Sequence, residues 1–217
     1  MSRQNGIDLS DYRLLIFDMD GTLYSREAES FEESSLGKKV RSSKRKFLEE
    51  RGMEPGKVLP ELRKKYGRET SIGLEEQYGI PRDLYFRKVW GRLKASEHVG
   101  NYPENLERRM ESLDPEVALL TNAPRQWATK VMEYLEITEQ VDAAFYGNRK
   151  PKPQIEAFQE VLDSFETFPE NAMMIGDEEI DIQPAEKIGM ETVLIASSRK
   201  GGSSFTGLEE FFEAVKG

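Results

Sequence analysis

The chain has 217 residues, of which 37% are hydrophobic and 33% charged, with a formal net charge of −9 and no cysteine. Disulfides, thiolate metal sites and cysteine nucleophiles are therefore excluded, and the acidic balance argues against general binding to nucleic acid or anionic membranes. No apolar run approaches the roughly 18 residues of a membrane span, and the first residues lack the pattern of a secretory signal. We expect a cytoplasmic protein with one large domain, or a core domain with a smaller insert.

Two aspartates follow the first apolar run. Residues 13–17 end in LLIF, and Asp18 and Asp20 come directly after them. A continuous apolar run that ends in a turn predicts a buried parallel strand, and ligands bind at the carboxyl ends of such strands. Two carboxylates 4 Å apart repel by roughly 4 kcal/mol at a surface-like dielectric. A cation, a shared proton or a chemical task would offset that repulsion, although an ordinary Asp-rich turn is the alternative.

The next segment has a different character. Residues 26–110 are rich in charged side chains and show no clear strand pattern, whereas helical spacing is present in residues 44–51, 59–66 and 84–93. Glycine and proline separate these segments as turns. The pattern predicts a small helical module inserted after the first strand.

From residue 116 onward, short apolar runs alternate with amphipathic segments. The predicted strands are residues 117–120, 143–147, 172–175 and 192–195, and the predicted helices are residues 126–135, 154–165, 181–188 and 208–215. Strands that alternate with helices indicate an α/β fold with a parallel sheet and right-handed crossovers.

Polar residues follow four of these strands. Asp18 and Asp20 follow the first strand, and the others are Thr121, Asn122, Lys150, Asp177 and Asp181. Each has an ordinary explanation alone, as a helix cap or a solvated loop residue. The carboxyl ends of parallel strands share one sheet edge, however, so the sequence predicts that these side chains meet there.

The residue types suit phosphoryl transfer. Asp18, Asp20, Asp177 and Asp181 carry up to four negative charges, so a phosphomonoester would need a divalent cation with oxygen ligands, and Mg²⁺ is the usual choice beside phosphates. Asp18 is the candidate nucleophile, and Asp20 is the candidate acid for the departing oxygen. Lys150 adds a positive charge.

Four motifs resemble those of the haloacid dehalogenase-like hydrolase superfamily, in the same order. They are FDMDGTLY at 17–24, LLTN at 119–122, KPKP at 150–153 and GDEEID at 176–181. The resemblance implies a Rossmann-like three-layer core, residues 1–25 and 106–217, and an α-helical cap of the C1 type, residues 26–105.

The resemblance also implies roles. Asp18 would be the nucleophile and Asp20 the general acid and base, while Thr121, Asn122 and Lys150 would bind the phosphoryl group. Mg²⁺ would be bound by the side chains of Asp18 and Asp177 and by the backbone carbonyl of Asp20. Asp181 would contact the metal indirectly. Lys152 is the rival of Lys150, but the K-P-x-P spacing favours Lys150.

The second aspartate discriminates within the superfamily, because its dehalogenases lack an acid at the position of Asp20 and its phosphatases have one. Residues 85–93 and LLTNAP at 119–124 resemble the pyrimidine 5′-nucleotidase-like branch, which more often has asparagine where this chain has Gly21. Phosphoglycolate phosphatase-like and β-phosphoglucomutase-like branches share the same core.

We expect a Mg²⁺-dependent phosphohydrolase that acts through an aspartyl-phosphate on a small phosphomonoester, with neither a nucleic-acid nor a membrane partner. The alternatives are a sugar phosphomutase and a non-catalytic module that binds phosphometabolites. The substrate and the oligomeric state cannot be predicted from the sequence.

Overall fold

The computed structural model describes residues 6–26, 28, 30–67, 69–147, 150–196 and 204–216. Residues 1–5, on which the expectation about a secretory signal rests, lie outside the described residues. The chain divides into two compact units, one of Met1–Arg26 with Val99–Gly217 and one of Glu27–His98. In the part of the chain that the structure describes, no helix has the length and apolar character needed to cross a membrane.

A parallel sheet forms the centre of the first unit. The strands are β1 (Ile7–Asp8), β2 (Leu14–Phe17), β3 (Glu116–Thr121), β4 (Ala143–Tyr146), β5 (Ala172–Gly176), β6 (Glu191–Ile195), β7 (Ser204–Phe205) and β8 (Val215–Lys216). Strands β2 to β7 form one sheet in the order β4-β3-β2-β5-β6-β7, in which every pair is parallel, and β1 pairs with β8 separately. The parallel α/β fold predicted from the sequence is confirmed, and the bounds of each predicted strand are within one residue.

Helices connect the strands and form the second unit. They are α1 (Ser35–Glu49), α2 (Pro55–Tyr66), α3 (Thr70–Tyr78), α4 (Arg82–Val89), α5 (Leu106–Glu111), α6 (Arg125–Tyr134), α7 (Ile155–Ser164), α8 (Glu179–Lys187) and α9 (Leu208–Ala214). Two single 3₁₀ turns, Ala95–Glu97 and Pro169–Asn171, complete the regular structure of the described residues.

The central strand β2 is buried on both faces. Side chains alternate across a strand, and Leu14 and Ile16 lie in one apolar cluster with residues of α7 and α8, including Phe158. On the opposite face, the ring of Phe17 meets the ring of Phe211 in α9 edge to face, with 6.1 Å between centroids. Helices on both faces make three layers, which explains why β2 is a continuous apolar run.

The position of β2 in the sheet places the candidate site. Phe17 pairs with Leu119 of β3 on one side and with Ile175 of β5 on the other. The chain after β2 leads to β3 on one side of it, and the later strands β5 to β7 lie on the other. Residues that follow β2, β3 and β5 therefore share one edge at a topological switch point, where sheets of this kind bind ligands.

All regular secondary structure in the described residues of the second unit is helical, as the sequence predicts. Its apolar core includes the rings of Phe47 and Tyr85, which meet edge to face at 5.7 Å. Helix α3 was not among the predicted segments, because its buried face is made partly of small residues, Ser71 and Gly73, instead of an apolar stripe. A Cβ at Gly73 would lie 2.6 Å from Leu62 Cδ2 in α2, so the small residue permits close packing of the two helices.

The chain returns to the first unit earlier than the predicted boundary at residue 105. Residues 99–105 group with the first unit. The Ser25 N–H donates to the Asn101 carbonyl at 2.7 Å, and the Asn101 N–H donates to Ser25 Oγ at 3.1 Å. These two hydrogen bonds join the outgoing and the returning segments of the chain.

Candidate active site

Asp18 lies at the carboxyl end of β2 and is almost fully buried. Its N–H donates to the Ile175 carbonyl at 2.9 Å, which continues the ladder between β2 and β5 by one residue. Its carboxylate oxygen Oδ1 lies 2.5 Å from Nζ of Lys152, and the Lys152 side chain is only 2% exposed. A buried ammonium therefore compensates the charge of the candidate nucleophile.

Lys152 also pairs with Asp181. The distance from Lys152 Nζ to Asp181 Oδ1 is 2.6 Å, and both side chains are buried. Burial alone would lower the pKa of Lys152, but the carboxylates of Asp18 and Asp181 outweigh it and raise that pKa. Lys152 is therefore a permanent cation between two carboxylates.

Lys150 does not contact the aspartates in this structure. The sequence-based preference for Lys150 over Lys152 at this position is therefore wrong. The Lys150 ammonium is 3.3 Å from a carboxylate oxygen of Glu160 in α7, and its side chain is 48% exposed. Both lysines precede a proline, so the local sequence did not distinguish them. The side chain that reaches the aspartates is that of Lys152.

Asn122 holds the backbone of Lys152 in place. Its side-chain oxygen accepts from the Lys152 N–H at 2.7 Å, and its Nδ2 donates to the Lys152 carbonyl at 3.0 Å. These two hydrogen bonds engage the side-chain amide of Asn122, which the family resemblance implied would bind the phosphoryl group. Asn122 thus acts on the site through Lys152 in this structure.

Thr121 is buried at the end of β3, at 1% exposure. Its hydroxyl oxygen accepts a hydrogen bond from the Ala123 N–H at 3.0 Å. A hydroxyl that accepts through its oxygen still has a proton to donate. Thr121 can therefore present a donor to an anion at this sheet edge.

Asp20 lies in a tight turn that follows β2. The Leu23 N–H donates to the Met19 carbonyl at 3.0 Å, and the Tyr24 hydroxyl donates to the Asp20 carboxylate. Burial, and then the charge of Asp18, raises the pKa of Asp20 to about 6. A carboxyl with a pKa near neutrality can both give and accept a proton at physiological pH.

Gly21 is required by this turn. Its φ of +99° is a conformation that L side chains rarely adopt, and an added Cβ would lie 2.2 Å from Asp177 Oδ2. Asparagine, which is more common here in the pyrimidine 5′-nucleotidase-like branch, would be strained at this φ, and its Cβ would displace the side chain of Asp177 or Arg26.

Asp177 and Asp181 complete the carboxylate group. Asp177 follows β5, and Asp181 lies in the first turn of α8, where its Oδ2 accepts from the Glu178 N–H at 3.1 Å. Burial, followed by the charge of Asp18, raises the pKa of both carboxyls. Gly176 makes room for Asp181, since a Cβ there would lie 2.4 Å from Asp181 Cβ.

Arg26 is a site residue that the sequence analysis did not single out. Its Nε donates to the Asp20 carbonyl at 2.8 Å, and its Nη2 lies 3.3 Å from both carboxylate oxygens of Asp177. Its Nη1 donates to the carboxylate of Glu178. In the sequence, Arg26 is a single arginine eight positions after Asp18, and no spacing rule predicts its contacts.

The carboxylates fit a hard divalent cation. One oxygen from each of Asp18, Asp177 and Asp181 lies within 4.8 Å of the others. When all groups are ionised, five carboxylates, including those of Asp20 and Glu178, face the cations of Lys152 and Arg26. The resulting excess of negative charge and the all-oxygen donor set are those that Mg²⁺ prefers.

Known phosphatases are similar to this chain in sequence or in fold. The chain is similar to a phosphoglycolate phosphatase of Aliivibrio fischeri, with 25% identity over 194 residues and 82% of each chain covered. Two solved structures share the fold at a TM-score of 0.59. A HAD phosphatase from Thermococcus onnurineus is 18% identical, covering 93% of this chain and 96% of that one. A predicted phosphoglycolate phosphatase from Haemophilus somnus is 17% identical, covering 94% and 98%.

A family model described as haloacid dehalogenase-like hydrolase matches residues 15–195, which include all of β2 but its first residue, the turn with Asp20, Thr121, Lys152 and Asp177. The matched region covers most of the chain. This protein belongs to the haloacid dehalogenase-like hydrolase family.

Proposed function

We propose that this protein is a Mg²⁺-dependent phosphatase that hydrolyses a small phosphomonoester through a phosphorylated Asp18. One observation carries the proposal. The buried carboxylate of Asp18 lies 2.5 Å from the Lys152 ammonium, beside Asp20, whose pKa is raised to about 6. A nucleophile, a fixed cation and a proton donor are thereby brought to one strand end.

In the first step, a carboxylate oxygen of Asp18 forms a bond to phosphorus while the bond from phosphorus to the ester oxygen breaks. Asp20, in its protonated form, gives its proton to that oxygen, and the alcohol leaves. In the second step, Asp20 accepts a proton from water, which attacks phosphorus. The bond between phosphorus and Asp18 then breaks, and inorganic phosphate is released.

The surrounding side chains would stabilise the charge that develops on the phosphoryl oxygens. Lys152 supplies a cation that is already desolvated and oriented by two carboxylates. Thr121 supplies a hydroxyl donor at the end of β3. Groups fixed in this way stabilise a transition state without reorganising during the reaction.

The carboxylates of Asp18 and Asp177 and the Asp20 carbonyl would hold the divalent cation. When bound, it would offset the negative charges of the site and of the phosphoryl group. Asp181, which pairs with Lys152 and accepts from the Glu178 N–H, would act on the cation indirectly.

The substrate class is supported by similarity to the phosphoglycolate phosphatase of Aliivibrio fischeri. Phosphoglycolate is therefore the first substrate to test. The cap function of residues 26–105, the cytoplasmic location and the exclusion of nucleic-acid and membrane partners stay predictions.

The test is phosphate release from phosphoglycolate and a panel of other small phosphomonoesters, with and without Mg²⁺. Asp18→Asn is the matched blank, because asparagine has nearly the same shape but is a poor nucleophile. We expect Mg²⁺-dependent release by the wild-type protein and none by the variant. Release by Asp18→Asn at the wild-type rate would refute the assigned nucleophile.

The same panel separates the alternatives. A phosphomutase would isomerise sugar phosphates without releasing phosphate. A binding module would bind phosphometabolites without changing them. Either result would contradict the proposal.

A further inference from the structure

We propose that Arg26 is an internal counter-cation that occupies part of the metal site and must leave it before a divalent cation binds. This inference rests on the proposed metal site. The Arg26 guanidinium bridges the Asp20 carbonyl and the Asp177 carboxylate, two of the three groups assigned to the cation.

The contacts of Arg26 use the planar fork of its side chain. Its Nε is 2.8 Å from the Asp20 carbonyl oxygen, while Nη2 is 3.3 Å from both oxygens of Asp177. Nη1 donates to the carboxylate of Glu178. All three guanidinium nitrogens are thus engaged with groups of the site, in an orientation that a lysine cannot reproduce.

Gly21 makes this arrangement possible. A Cβ at Gly21 would lie 2.2 Å from Asp177 Oδ2 and 2.8 Å from Arg26 Nε. The missing side chain therefore leaves the space in which Arg26 and Asp177 meet. A Cβ at position 21 would require the side chains of Arg26 and Asp177 to shift from these positions.

Charge balance explains why Arg26 lies there. Burial would lower the pKa of Arg26, but Asp177 and Glu178 outweigh it and raise that pKa, so the group stays charged. In the absence of metal, its charge offsets the repulsion among Asp177, Asp18 and Asp181. Its side chain is 26% exposed, so part of it already contacts solvent and a turn away from the site would not cross a closed core.

A divalent cation would bind the same acceptors. Mg²⁺ requires oxygen ligands at about 2.0–2.1 Å in near-octahedral geometry. Held by the Asp20 carbonyl and Asp177, it would lie next to a guanidinium of the same sign, and the two would repel. Metal binding and the bridge formed by Arg26 therefore oppose each other, and this coupling is reciprocal.

The experiment measures Mg²⁺ affinity by titration calorimetry, without substrate, for the wild type, Arg26→Ala, Asp177→Asn and Arg109→Ala. Arg109 is the matched control, since its Nε donates to a carbonyl, that of Glu104, at 3.0 Å and its Nη2 pairs with the carboxylate of Glu209, away from the site. We expect Arg26→Ala to bind Mg²⁺ about tenfold more tightly than the wild type, and Arg109→Ala to bind as the wild type does.

Displacement itself is visible by NMR. The Nε–H cross-peak of Arg26, assigned by its loss in Arg26→Ala, should shift toward the position of solvent-exposed arginines as Mg²⁺ is added. An unmoved cross-peak in a metal-saturated protein, or an Arg26→Ala affinity no higher than that of the wild type, would overturn the inference.

The Mg²⁺ affinity of Asp177→Asn tests the proposed metal site separately from the role of Arg26. If Asp177→Asn bound Mg²⁺ as tightly as the wild type, the proposed metal site itself would be wrong. Loss of binding in Asp177→Asn, combined with an unchanged affinity in Arg26→Ala, would leave the metal site standing and reject only the role of Arg26.

Discussion

Replacing Lys152 by methionine tests whether Lys152, and not the Lys150 favoured by the sequence, is the lysine that serves the active site. Methionine keeps much of the length and the apolar stem of lysine but removes the ammonium. In this protein the ammonium lies 2.5 Å from Asp18 and 2.6 Å from Asp181, and the side chain is buried. The substitution therefore leaves two buried carboxylates without their cation.

The size of the effect follows from that burial. Removing one partner of a buried ion pair costs about 3–5 kcal/mol of unfolding free energy. Removing a preorganised group that stabilises transition-state charge lowers kcat by about 10²–10³-fold. The raised pKa of Lys152 means that its contribution to stability is fully present at pH 7 and would be lost only in strongly alkaline solution.

The assays are phosphate release under saturating Mg²⁺ and urea unfolding of the metal-free protein. Lys150→Met is the matched control, because Lys150 is half exposed and pairs only with Glu160 among the contacts described above. Exposed pairs contribute about 0–1 kcal/mol. We expect Lys150→Met to keep kcat within about twofold and stability within about 1 kcal/mol.

Two results would refute the reasoning. One is a Lys152→Met variant with wild-type kcat. The other is a Lys150→Met variant that loses as much activity as Lys152→Met, which would restore the original preference for Lys150.

Three further predictions concern neighbouring groups. Asn122→Ala should lower kcat more than it changes KM, because the amide holds Lys152; steady-state kinetics that showed only a raised KM would instead favour direct substrate binding by Asn122. Tyr24→Phe should lower kcat by about tenfold, equivalent to about 1.4 kcal/mol, because Asp20 loses the donor that orients it, and an unchanged kcat would contradict this. The pKa of Asp177 is 3.8 in the unfolded chain and is raised to about 8 in the folded protein, so the folded state holds this proton more tightly. The free energy of unfolding of the metal-free protein should therefore fall as the pH rises between these two values. Urea unfolding in EDTA should show a slope of at most about 1.4 kcal/mol per pH unit from this carboxyl, reduced in Asp177→Asn, and a flat or rising wild-type profile would contradict the shift.

The sheet and the aspartates were predictable because each depends on local pattern. A continuous apolar run indicates a strand buried on both faces, and the residue after it lies at the carboxyl edge whatever the rest of the chain does. Asp18, Thr121 and Asp177 follow from that rule alone. The pairing of Phe17 with Leu119 and Ile175 then brings those three residues to the same edge.

The contacts of Lys152, Asn122 and Arg26 were not predictable, because they depend on loop conformation. Lys150 and Lys152 are two residues apart with a proline after each. Two hydrogen bonds between the Asn122 side chain and the Lys152 backbone hold the lysine that faces Asp18, and the local sequence does not indicate them. Arg26 follows the turn that contains Gly21, and it reaches Asp177, which is far along the chain. Helix α3 escaped prediction for a different reason, since small residues form part of its buried face.

Phosphorylation of Asp18 during turnover is the central step of the proposed reaction. The direct measurement is rapid acid quench of the Mg²⁺-loaded protein with p-nitrophenyl phosphate, followed by mass spectrometry of the peptide that contains residues 14–24. We predict one phosphoryl group on Asp18 in the wild-type protein, and none in Asp18→Asn. Steady release of phosphate with Asp18 unmodified, at a rate that Asp18→Asn matches, would contradict the claim.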